Sequence, residues 1–124
     1  MNSTADKLRI IVVFRADLPE MTRAKGEVQF GHAVDGTLEV AESTVPERVA
    51  AYRDDSRVKL SMEVDDLAAL RRIEALAARR SVPHFMVTDA GHTCFSEPMT
   101  TCLGLGPMSK TDGNALTRDA RMRA

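Results

Sequence analysis

Tryptophan is absent from this chain of 124 residues, and one tyrosine and four phenylalanines complete its aromatic complement. A core built from it must rest on Leu, Ile, Val, Met and Ala. Two cysteines are too few for a disulfide scaffold. Cys94 and Cys102 stand eight residues apart across an expected hairpin, where a bridge is geometrically conceivable, but the reading adopted is a pair of reduced thiols. Long apolar runs are missing too. The N-terminal run from Ile10 to Phe14 is too short for a signal-peptide core or a membrane span, and Arg15 and Asp17 follow at once. Export and membrane insertion are therefore not expected, and the cytoplasm is the expected compartment. There is no overall excess of one charge, since the formal net charge is −1.

What is present suits a globular protein: 44% hydrophobic and 28% charged residues, in a length that fits one domain spanning 1–124. The charges are unevenly spread. Residues 1–25 carry five basic and three acidic side chains, residues 35–66 carry four basic and nine acidic, and Arg71, Arg72, Arg79 and Arg80 face only Glu74 within 71–80. Such clusters can present a basic face to a polyanion, or they can be solvated helix faces.

Leu8 to Phe14 reads as a strand covered on both faces. Phe30, Val34, Leu38 and Ala41 recur at helical spacing, predicting a helix from Lys25 to about Glu42. Pro46 opens a second, shorter helix through Tyr52. The alternation of Val58, Leu60, Met62 and Val64 with polar residues predicts a half-buried strand. Leu67, Leu70, Ile73, Leu76 and Ala77 mark another helix, capped by Asp65 or Asp66, and Phe85–Thr88 and Thr101–Leu105 supply two last strands. This order predicts an α/β fold, three layers α/β/α, with a small mixed, mostly parallel four-stranded sheet.

In such a sheet ligands gather at the carboxyl ends of parallel strands. The first strand ends in Arg15-Ala16-Asp17 and the third in Asp89-Ala90-Gly91-His92-Thr93, so Arg15, Asp17, Asp89 and Thr93 are expected at one edge. Lys25, Gln29 and His32 fall within roughly 60° on one face of the first helix, opposite the apolar stripe. That face is either part of the site or simply wet. Gly104-Leu105-Gly106 lacks the third glycine and the helix of a nucleotide loop, and its glycines fit a bend or a close backbone approach better. His92 and Cys94 make a poor nucleophile pair.

Three stretches of the chain resemble those of a known family. "RADLPEMTRAKGEVQFGHA" resembles the N-terminal motif of type II peptidyl-tRNA hydrolases, where an R-x-D-L strand end precedes M-x-K-G-K and then a Gln and a His on the first helix. "DAGHTCFSEPMTTCLGLGP" resembles the family's D-A-G-x-T segment and T-x-L-G-I-G-P strand, and "DGNALTRDARM" its closing D-x-x-T-G-x-L-x-L. The departures are Ala24 in place of a glycine before the lysine, an extra residue at Pro19-Glu20, and Pro98 and Met99 where the family carries glycine and then Thr or Ser. They bear on loop geometry and substrate fit.

The resemblance implies a small mixed sheet between helical layers and hydrolysis of the ester joining a peptide to the terminal ribose of tRNA. It assigns Lys25, Asp89, Thr93 and Thr101 as catalytic, with Gln29 and His32 lining the site and Arg15 holding phosphate or the loop. No metal and no cofactor is expected. The expected partner is tRNA, with a homodimer left open. A different class competes with the enzyme: a catalytically inactive binding domain of the same fold, recognising RNA or a small ligand. A small regulatory ligand-binding domain is the third reading.

Overall fold

The computed structural model describes residues 7–91 and 95–124. Along the chain run β1 (Arg9–Arg15), α1 (Arg23–Thr44), α2 (Pro46–Arg53), β2 (Val58–Val64), α3 (Leu67–Arg79), β3 (His84–Asp89), β4 (Met99–Met108), α4 (Lys110–Leu116) and β5 (Arg121–Met122). The strands form one sheet in the order β3-β4-β1-β2-β5. The expected α/β class and mixed sheet are found, with two corrections. The sheet has five strands rather than four, and only the β1–β2 pair is parallel, while β4 runs antiparallel to both β1 and β3, and β5 antiparallel to β2. The physical reason is the hairpin. Its return strand inserts between β3 and β1, so the crossover through α3 delivers β3 to the sheet edge.

β1 explains why its sequence is apolar without alternation. Ile10, Val12 and Phe14 pack with Ala33, Tyr52, Val87 and Cys102 beneath α1 and α2, whereas Ile11 and Val13 pack with Leu70, Ile73, Leu103, Leu105 and Leu116 beneath α3 and α4. Both faces of the strand are core. Each such side chain contributes about 1.5–3 kcal/mol on full burial, which makes β1 the anchor of both helical layers.

α1 is rotated from the face that the apolar stripe predicts. Its buried residues are Gly26, Gln29, Ala33, Thr37 and Ala41, while Phe30, Val34 and Leu38 are half-buried at the flank. Small residues win the centre because β4 passes close by. A Cβ on Gly104 would meet Thr37 Oγ1 and come within 2.8 Å of the Ala33 carbonyl oxygen. This is the close backbone approach that the glycines of β4 suggest. Thr22 caps α1 by accepting from the Lys25 amide, and Asp66 caps α3 by accepting from the Ala69 amide.

Candidate active site

β1 and β3 point the same way with β4 antiparallel between them. Their carboxyl ends, carrying Arg15 and Asp89, therefore reach one edge together with the start of β4. The two strands are not neighbours, yet both carboxyl ends reach that edge, while Thr93 lies outside the described residues.

Asp89 is buried, at 7% exposure. Its Oδ1 accepts from the Gly91 amide at 2.8 Å and its Oδ2 from Gln29 Nε2 at 3.1 Å. Gly91 is required here: its φ is +86°, and a Cβ would stand 2.7 Å from the Glu97 carbonyl carbon. The turn thus aims a backbone donor at the carboxylate.

Gln29 and Thr101 complete a directional chain. Thr101 Oγ1 donates to Gln29 Oε1 at 2.7 Å, so the amide oxygen faces a hydroxyl and the amide nitrogen faces a carboxylate. Both residues are fully buried. Gln29 is not a wet residue of α1 as the helical face suggests. It is the link between the carboxylate at the end of β3 and the hydroxyl on β4. Beside it, burial pushes the Cys102 thiol up to about 12, and its Sγ donates to the Gln29 carbonyl oxygen at 3.6 Å. Cys102 is a free, buried thiol.

Lys25 sits one helical turn before Gln29, half-buried, with Nζ 5.5 Å from the centre of the Phe95 ring. It borders a cleft of about 220 Å³ lined also by Glu20, Ser96, Glu97 and Met99. Arg15 is engaged on two sides. Nε and Nη2 donate to the Asp17 carboxylate at 2.7 and 3.0 Å, and Nη1 donates to the Thr100 carbonyl at 3.2 Å. This hydrogen-bonded pairing holds Asp17 below the usual carboxylate range and raises Arg15. The geometry shows Arg15 holding the loop after β1 against β4.

His32 is exposed and lines a larger cleft, about 530 Å³, that also reaches Thr88, Asp89 and Ala90. Thr93, with His92 and Cys94, lies outside the described residues. Sequence reasoning missed Arg123, whose guanidinium lies 4.0 Å from the Phe14 ring, over Gly26 of α1. It missed Phe85 at the cleft as well. The row of small residues on α1 was the available signal for the first, since a helical glycine invites a neighbour to fill its place.

Known proteins share this chain's pattern. The family model described as Peptidyl-tRNA hydrolase PTH2 matches residues 8–122. The peptidyl-tRNA hydrolase of Methanopyrus kandleri is 34% identical over 88% of this chain and 92% of its own length. That of Methanothermobacter thermautotrophicus is 25% identical over 93% and 99%. A solved structure of a protein of unknown function from Agrobacterium tumefaciens strain C58 shares the fold, with a TM-score of 0.64 over 95% of this chain and 98% of that one at 16% identity. With the family model covering nearly the whole chain, this protein belongs to the peptidyl-tRNA hydrolase PTH2 family.

Proposed function

We propose that the chain carries out its family's reaction, hydrolysis of the ester between a peptide and the terminal ribose of tRNA, through the Asp89 carboxylate. One observation carries the reading. A buried carboxylate is fixed at both oxygens by donors from α1 and from its own turn, and it still borders an open cleft. Such a group can accept a hydrogen bond from water and orient it against an ester carbonyl.

Water attacks the carbonyl carbon while its proton passes to Asp89. The tetrahedral oxyanion then collapses, the bond to the ribose oxygen breaks, and that oxygen takes the proton. Free tRNA and the peptide acid leave, and the acid gives its remaining proton to solvent. Lys25 supplies positive charge for the oxyanion or the adjoining phosphate. Arg123 brings a second cation to the same end of α1, beside Gly26.

Thr101 is fully buried against Gln29, so its proposed part is to position Asp89 through that amide. Thr93 remains a proposed hydroxyl donor, and His32 borders the cleft as a substrate contact. Among the described residues no helix is long and apolar enough to cross a membrane. We place the reaction in the cytoplasm, where translation supplies the substrate. The homodimer is tested by the mass of the purified chain in solution.

Release of free tRNA from N-acetyl-aminoacyl-tRNA by the purified chain tests the reading. Multiple turnovers support it. Binding of tRNA without release would establish the inactive binding domain instead.

A further inference from the structure

The cleft that opens on Asp89 runs between α1 and β3, away from the end of α1 that holds Lys25 and Arg123. Its walls carry Asp35 and Glu39 from α1 as well as Asp89, and His32 is the single basic group lining it among the described residues. Three carboxylates make it a poor channel for phosphate. Its floor is apolar: Phe85, 37% exposed, packs against Gly36, where a Cβ would collide with the ring. Lys25 and Arg123 stand at one end of α1, with Glu20 and Glu97 beside Lys25, and Asp35 and Glu39 follow two to four turns further on.

β3 is an edge strand of six residues ending at Asp89, paired only with β4 among the described residues. An edge strand leaves the backbone donors and acceptors of its outer side without a sheet partner. We propose, building on the functional reading above, that this cleft takes the peptide moiety of the substrate as an added strand on β3, recognised through its main chain. The ester lies at Asp89 and the peptide's amino end lies toward His84, so the added strand runs parallel to β3.

The chemistry of the substrate favours this mode. Peptides of any sequence reach the ester, and side-chain pockets would reject most of them. Main-chain pairing with an edge strand accepts all, and residues two and three fit within about 10 Å of strand. Phe85 offers an apolar surface to whichever side chain turns toward α1.

The test compares three substrates with one C-terminal residue: N-acetyl-aminoacyl-tRNA, N-acetyl-tripeptidyl-tRNA, and the tripeptidyl form with N-methylated internal amides. The tripeptidyl substrate should exceed the aminoacyl one in kcat/KM by about tenfold, the worth of two net hydrogen bonds. N-methylation should bring that ratio to about one, whereas Phe85→Ala, which leaves the main chain of β3 in place, should keep most of it. A ratio near one in the wild type, or a gain that survives N-methylation, overturns the inference alone. So does a Glu39→Lys variant that lowers KM equally for all three substrates, because the cleft would then be guiding tRNA. Hydrolysis of none of the three overturns the functional reading and this inference with it.

Discussion

Gln29 donates through Nε2 to the Asp89 carboxylate at 3.1 Å, across 60 residues of sequence. The bond is buried, and its partner atom Oε1 is held by Thr101 at 2.7 Å. The amide therefore cannot turn without breaking a bond at each end. α1 and β4 together determine where the carboxylate points.

Thr101→Val is nearly isosteric but leaves Gln29 Oε1 without its donor, and the buried acceptor should cost about 1–3 kcal/mol in denaturant unfolding. Hydrolysis should fall mainly in kcat, because Asp89 is released from its orientation. Thr101→Ser keeps the hydroxyl and should restore most of the rate. A purely packing role for Thr101 predicts the reverse order, with Val better than Ser.

Lys25→Ala should lower hydrolysis by about 10² to 10³, the usual effect of removing one well-placed electrostatic donor. Its stability should change by less than about 1 kcal/mol, since a half-exposed cation over the Phe95 ring is worth little more. Turnover close to wild type in steady-state kinetics would remove Lys25 from the mechanism.

Local pattern made most elements legible. The alternation over Val58–Val64 returns as β2 with the same bounds, and Pro46 opens α2 as the first-turn rule requires. Sheet order was not legible, because the pairing of β1 with β4 depends on contacts about 90 residues apart. α4 carries Gly113 and Asn114 in seven residues, and β5 is two residues long, so neither has a periodic signal to read. In the site, Asp89, Lys25 and the bend at Gly91 followed from the motif. The burial of Gln29 did not, since a glutamine reads as polar surface until its two partners are known.

Gly104→Ala places a methyl against the Ala33 carbonyl and Thr37, and α1 must shift to receive it. Unfolding should show a loss of about 1–3 kcal/mol. Hydrolysis should drop further than stability explains, because Gln29 rides on the same helix. Gly31→Ala is the control. That glycine sits mid-helix with nothing within 4 Å of the added Cβ, and the change should stabilise by about 0.5–1 kcal/mol.

Cys102 gives the protein an alkaline limit. Burial raises its thiol from 9.0 to about 12, so the folded state keeps a proton that the unfolded chain gives up first. Stability from this group is full below pH 9 and is lost as pH rises from there to about 12. Unfolding midpoints at pH 7.5 and 10 should therefore separate more in the wild type than in Cys102→Ala. Equal separation would contradict the buried thiol.

Asp89→Asn removes the charge of the carboxylate while keeping its shape. The variant has the shape of the wild type, but one of its two positions now meets a donor, either the Gly91 amide or the Gln29 amide. Some stability should be lost, and circular dichroism and tRNA binding should confirm that the fold and substrate affinity persist. Single-turnover release of tRNA from N-acetyl-aminoacyl-tRNA should fall by at least about 10² relative to wild type, as expected for a lost general base. Release at the wild-type rate by a folded, tRNA-binding Asp89→Asn would exclude Asp89 as the general base.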